Sequence, residues 1–192
     1  MNSIVISKLL LTDELKQQIA ELRQQSYDLK FSSRVSSDGL SWNLHDDDSY
    51  HFGALIEGRL VSTVRLTRVS TAGRFETMLQ FPANEPFSAI PCYVLSRAAT
   101  AKSHQGSGLN MKLRAEVFRF LIALDRPSDF LYGAALGNSK RLQFLQKLGY
   151  EVKEHEHLWQ GYLESSESKP TIFRIPLSRL PDAVSFIESS ID

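Results

Sequence analysis

The sequence predicts a single α/β domain over residues 1–192, and three observations carry that expectation. Strand-like and helix-like periods alternate along the chain; 42% hydrophobic content over 192 residues suits one sizeable core; and no repeat or low-complexity linker interrupts it. Charges balance, with 22 Lys+Arg against 22 Asp+Glu, so composition points away from nucleic acid and from an anionic membrane surface. The only cysteine, Cys92, excludes an intrachain disulfide and a cysteine metal site. No apolar run is long enough to span a bilayer and no signal-peptide pattern opens the chain, which predicts a soluble, cytoplasmic protein.

Thr12 can cap a helix with Asp13 and Glu14 in its first turn and Leu15, Ile19, Leu22 and Tyr27 at helical spacing. Residues 32 to 49, rich in Ser, Asp and Asn around Leu40 and Trp42, read as a long irregular segment of the kind that forms lids. Tyr50 to Ile56 and Leu60 to Val69 flank Glu57-Gly58-Arg59 and predict a hairpin, followed by a polar loop. Ile90 to Thr100 is a further strand, and Leu109, Leu113, Val117, Leu121 and Leu124 share one helical face. Phe130 to Leu136 predicts a short strand, and Asn138 begins a helix carrying Leu142, Leu145 and Leu148 that stops at Gly149. Tyr150 to Leu163 and Thr171 to Pro176 read as strands, and Ser178 to Ser189 as a closing helix.

Between the strand ending at Thr100 and the helix beginning at Leu109 lies His104-Gln105-Gly106-Ser107-Gly108-Leu109-Asn110. Glycines let a backbone approach a ligand, and the first amides of a helix are unpaired at the positive end of its dipole. Such a junction suits a phosphate, although the same turn also serves as a plain connection. Asn138 is equally two-sided, since its ordinary role is an N-cap.

Taken together, the order of elements resembles the GNAT superfamily of acyl-CoA-dependent N-acyltransferases. Gln105-Gly106-Ser107-Gly108-Leu109-Asn110 resembles its Gln/Arg-x-x-Gly-x-Gly/Ala pyrophosphate signature, departing only at Asn110. Asn138 through Phe144 and Lys147-Leu148-Gly149-Tyr150 resemble its second signature. The resemblance implies a mixed, mostly antiparallel sheet with helices on both faces and two splayed central strands. It implies acetyl-CoA or a longer acyl-CoA as co-substrate, and no metal. Residues 105 to 110 (Gln105, Gly106, Ser107, Gly108, Leu109, Asn110) would take the pyrophosphate and Ala98 and Thr100 the pantetheine arm. Amides near Ala98 and Ala99 would hold the oxyanion, and Asn138 would face the thioester. The tyrosine that often protonates the leaving thiolate falls at Leu145, so the usual general acid is missing and no catalytic residue is assigned.

A narrower resemblance starts from Val94-Leu95-Ser96-Arg97, which is similar to the Glu-Leu-Ser-Arg strand of acyl-homoserine-lactone synthases and related long-chain N-acyl amino acid synthases. Arg23, Tyr27, the Asp46-Asp47-Asp48 run, Arg65 and Met78-Leu79 with Phe81 fall in that subgroup's order, while Val94 replaces its glutamate. It implies that Arg65 and Arg97 orient a carboxylate-bearing, amino-acid-like acceptor, that Asp46 meets its amine, and that an acyl carrier protein is an alternative donor. An arginine on a strand is otherwise a surface ion pair, and an acidic run a solvated face. Cys92 reads as core, and His155 and His157 as exposed strand histidines without a completing ligand. An acyl-CoA-binding module without turnover would share every cofactor residue. The acceptor, the acyl length and the oligomeric state are open at this level.

Overall fold

A computed structural model describes residues 3–31, 40–136, 139–154 and 170–190. The elements are β1 (Ile4–Lys8), α1 (Asp13–Phe31), α2 (Leu44–Asp47), β2 (Ser49–Ile56), β3 (Arg59–Val69), α3 (Ala72–Leu79), β4 (Cys92–Thr100), α4 (Leu109–Ala123), β5 (Phe130–Leu136), α5 (Ser139–Lys147), β6 (Glu151–Glu154), β7 (Pro170–Pro176) and α6 (Leu180–Ser189). Single 3₁₀ turns lie at Lys102–His104 and Leu177–Arg179. The sheet order is β1-β2-β3-β4-β5-β7-β6. β1-β2, β2-β3, β5-β7 and β6-β7 are antiparallel. β4 and β5 are parallel in a register comprising Tyr93–Leu131 and Val94–Tyr132; both strands continue past it, so the pair is splayed. This is the mixed, mostly antiparallel α/β fold that the sequence predicts.

Two compact units are distinguishable, one holding the described residues of 3–67 and 96–117, the other those of 68–95 and 118–190. In the first, Thr12 Oγ1 accepts from Leu15 N–H at 3.2 Å and caps α1, whose Ile19 and Leu22 pack with Leu9, Leu60 and Ala99. The β2-β3 hairpin turns through Glu57 (φ 52°) and Gly58 (φ 77°), the left-handed pair a tight two-residue hairpin loop requires. In the second, Phe75, Leu79, Phe81, Cys92, Val94, Tyr132 and Ile172 form a core. Cys92 is fully buried; burial, with the nearby Asp129 carboxylate, pushes its thiol up to about 12, as a core cysteine requires.

Arg174 ties the second unit together. Its guanidinium lies over the Phe87 and Phe130 rings at 4.4 and 4.6 Å, donates to Phe87 O at 2.7 Å and pairs with Glu151 at 2.7 Å. Tyr132 Oη donates to the same carbonyl at 2.8 Å. Gly133 on β5 sits where a Cβ would meet the Phe173 ring at 2.4 Å, so only glycine fits.

Two expectations are corrected. The predicted polar loop after the hairpin contains helix α3, capped by Thr71 and burying Phe75 and Leu79 one turn apart. β1 was not anticipated: five residues give too short a run to register as a period, and their pattern is only half-buried. Asn138, His155, His157 and most of the strand expected over Tyr150 to Leu163 lie outside the described residues. Among the described residues, no helix is long and apolar enough to cross a membrane.

Candidate functional site

The glycine turn and the set Arg23, Asp46, Arg65 and Arg97 lie in the first unit, whereas Met78, Leu79, Phe81 and Leu145 lie in the second. The part of β4 in the first unit begins at Ser96 and contains Arg97, a non-glycine residue at φ 56°, in the left-handed region. That kink breaks regular strand geometry in the middle of β4. Beyond it, Ala101 N–H donates to Val61 O at 2.9 Å, so alternation turns the main-chain groups of Ala98 and Thr100 to the strand edge away from β3. Ala99 O accepts from Ser62 Oγ at 3.2 Å, and the two hydroxyls Ser62 Oγ and Thr100 Oγ1 lie 2.8 Å apart. Thr100 is not bare: its N–H donates to Ser26 Oγ at 3.5 Å, and its carbonyl accepts from Gln105 Nε2 at 3.2 Å. Any added strand at Thr100 must displace those partners, whereas Ala98 carries no such bond among the described residues.

Gln105 therefore pins the glycine turn to the end of β4. Gly106 (φ 81°) and Gly108 (φ 77°) both require the left-handed region, and a Cβ on either would meet nothing within 4 Å. Ser107 N–H and Oγ both reach His104 O, which closes the turn. Helix α4 then begins at Leu109, with Met111 and Lys112 donating to Gly108 O. The amides of Gly106, Gly108, Leu109 and Asn110 carry no hydrogen bond within the described residues, at the positive end of a 15-residue helix. The glycines are needed for open backbone conformation, not for close packing; the space beside them is free.

The second group is a buried ion cluster. Asp46, 0% exposed, receives Arg23 Nη2 at 2.9 Å and Arg65 Nη1 at 3.2 Å on one oxygen, Oδ1. Its other oxygen accepts from Asn43 N–H at 3.1 Å, completing a capping box on α2. Burial works against the carboxylate, yet Arg23, with Arg65 and the Asn43 amide, holds Asp46 below the usual range. Arg65 donates from Nε to Ser96 Oγ at 3.2 Å; burial, joined by the charges of Arg97 and Arg23, brings it down to about 10, still charged at neutral pH. His51 Nε2 lies 3.0 Å from Asp46 O, and its ring stacks on Trp42 at 4.8 Å. Burial and the two arginines lower His51 to about 4, so the ring is neutral and Nε2–H donates.

Asp46 is thus neither part of a solvated acidic run nor open to solvent; both of its oxygens are engaged by the chain itself. Arg65 is buried rather than surface-paired. Two guanidinium groups, Arg23 and Arg65, share one carboxylate oxygen, and the charge of Arg97 is felt at Arg65. Arg23 is 0% exposed, and its Nε and Nη1 have no hydrogen-bond partner among the described residues, nor has His51 Nδ1. Sequence reading set Arg23 in family order without a role; a helical arginine four residues beyond the buried Ile19, inside an apolar stripe, was the available signal. Leu145, at the position the missing tyrosine would hold, is 1% exposed and belongs to the core.

No family model matches this chain, and comparison with curated proteins gives no relative. Solved structures do share its fold. The acyl-homoserine-lactone synthase LasI is similar at 17% identity and TM-score 0.64, over 96% of this chain and 95% of that one. FeeM, an N-acyl amino acid synthase from uncultured soil microbes, is similar at 11% identity and TM-score 0.69, over 98% and 99%. A putative GNAT-family acetyltransferase from Desulfovibrio desulfuricans is similar at 15% identity and TM-score 0.60, over 91% and 99%. At these identities the likeness establishes the fold.

Proposed function

We propose that the chain is an acyl-CoA-dependent N-acyltransferase that moves an acyl group from a coenzyme A thioester to a primary amine by direct attack in a ternary complex. The observation that carries the reading is the glycine turn: four unpaired amides at a helix N-terminus, held to the end of a kinked strand by Gln105. A pyrophosphate fits there in charge and hydrogen bonding, and the edge of β4 at Ala98 offers main-chain groups to an extended amide arm. Residues 105 to 110 would hold the pyrophosphate, Ala98 the pantetheine, with Thr100 joining once its internal partners are displaced; Ala99 lies beside the oxyanion position. Asn138 is carried forward from sequence alone. When bound, the thioester supplies the activated acyl carbon; the chain's own part is to position it, desolvate the amine and accept its proton.

The arginine cluster favours a carboxylate-bearing acceptor, which is the narrower reading of an N-acyl amino acid or acyl-homoserine-lactone synthase-like enzyme. Buried Arg23 has donors to spare, and Asp46 alone faces the two guanidinium groups of Arg23 and Arg65. Asp46 would orient these arginines and so act as a positioning residue. A carboxylate entering here would complete the hydrogen bonding that the chain leaves open. MesI and BjaI, two further solved proteins of this fold, are CoA-dependent acyl-homoserine lactone synthases, which supports coenzyme A as donor here, with an acyl carrier protein as the alternative.

Calorimetry with acetyl-CoA and a long-chain acyl-CoA tests the donor. Binding of one or both is expected, and Gly108→Ala should weaken it at least tenfold, about 1.4 kcal/mol. No binding of either would sink the reading. Tight binding without transfer to any member of a panel of amines and amino acids would leave a binding module, a result the buried Leu145 would fit.

A further inference from the structure

The two ends of the sheet are finished differently. β6, Glu151–Glu154, presents Glu151, Lys153 and Glu154, with Glu151 engaged by Arg174 and Lys153 by Glu85. Charges at an edge strand discourage pairing with another chain. β1 has the composition Ile-Val-Ile-Ser-Lys, contains no proline or bulge, and leaves Ile4 46% and Val5 55% exposed. Its one charge, Lys8, lies over the Tyr50 ring at 4.6 Å. Five of the six large hydrophobic side chains exposed among the described residues, Ile4, Val5, Leu10, Leu44 and Tyr50, belong to β1, α2, β2 or their junctions.

Which backbone groups face outward follows from the register. Leu9 N–H donates to His51 O, and β1 continues from there in unbroken antiparallel register with β2. Residues 5, 7 and 9 therefore turn their N–H and C=O groups to β2, and Ile4, Ile6 and Lys8 turn theirs away from it. We infer that this edge is the interface of a homodimer in which β1 pairs antiparallel with β1 of a second copy, centred on Ile6. That centring is self-complementary. Ile6 faces Ile6 of the second copy, and Ile4 faces Lys8, all as hydrogen-bonded pairs, while Val5 and Ser7 face one another as non-hydrogen-bonded pairs. Every outward group of the strand is satisfied, like charges are kept apart, and the aliphatic stem of Lys8 covers Ile4. One two-fold axis relates the copies and closes the assembly. A five-residue edge falls short of the about 1,000 Å² that marks a tight complex, so the dimer is reversible. It does not depend on the catalytic reading.

Sedimentation of the full chain over the micromolar range is the test. The mass should rise with concentration from 21.7 kDa toward twice that value. Ile4→Pro removes an outward N–H while sparing the β2 ladder and should hold the protein monomeric; Ile4→Val should behave as wild type. Val5→Cys combined with Ser7→Cys should give a covalent dimer on oxidation, because non-hydrogen-bonded pairs place Cα atoms about 4.5 Å apart, within disulfide reach. The native Cys92 is buried and contributes none. A wild type that stays at monomer mass throughout, or a double-cysteine variant that does not cross-link, would overturn the proposal, and either result stands if Ile4→Pro fails to fold.

Discussion

Two arginine sites, one in each compact unit, are built on opposite principles. Arg174 is enclosed by partners: two rings, a backbone carbonyl and a carboxylate. Arg23 is more deeply buried, yet it makes one charged bond and keeps two donors idle. A guanidinium kept for architecture should be saturated, because an unsatisfied buried donor costs about 1–3 kcal/mol. The contrast teaches that the Arg174 site completes a fold, while the idle donors of Arg23 are what the proposed acceptor site rests on. It also shows why the number of ion pairs says little here, since the better-paired arginine is the less informative one.

The widest separation between the sites should come from removing Asp46, the one buried acidic residue among those described. Asp46→Asn leaves Arg23 and Arg65 without a counter-charge and is expected to cost about 3–5 kcal/mol in urea unfolding, more than any change at the second site. Asp46→Asn as stable as wild type would mean that another group neutralises the cluster. Acid should find the same weak point. His51 is at about 4 when folded against 6.5 unfolded, so the unfolded chain binds the extra proton between those values. Stability then rises with pH through this window; it is complete above about 6.5 and falls by about 3 kcal/mol as pH drops toward 4. Protonation of Asp46, lowered when folded, removes more at lower pH still. His51→Phe should flatten the upper part of that profile; an unchanged slope would show that another group carries it.

Arg174→Ala should cost less, about 2 kcal/mol, through lost stacking and carbonyl bonds. If the comparison is right, it leaves the KM for an amino-acid acceptor unchanged, while Arg23→Met raises that KM at a smaller stability cost than Asp46→Asn. The reverse pattern would dissolve the distinction. Smallest of all, Thr12→Ala should remove about 1 kcal/mol by uncapping α1, without changing acceptor binding.

Legibility in the sequence divides along physical lines. The β2-β3 hairpin, α4, β5 and the stop at Gly149 follow from local period and turn chemistry, and their boundaries agree with the structure to within a residue or two. α3 was hidden by Gly73 and Thr77, poor helix formers between a sound cap and two buried anchors. Asp46 was misleading for a different reason. Its neighbours Asp47 and Asp48 make it look solvated, whereas its partners Arg23 and Arg65 lie 23 and 19 residues away. Nothing local distinguishes a buried acid from an exposed one. The glycine turn itself was legible from its two glycines ahead of a helix, but the role of Gln105 as its pin required seeing the Thr100 carbonyl.

Arg97 carries a last consequence. A side-chain-bearing residue in the left-handed region costs about 1–2 kcal/mol that glycine would not incur. Backbone and side chain therefore make opposite demands at one position, and a random drift toward glycine would be rewarded by folding and opposed only by whatever the guanidinium does. Arg97→Gly is in that sense a direct assay of purpose: a chain made firmer and left fully active would show the charge to be an accident, and a firmer chain with acyl transfer lost would show what the strain has been kept for.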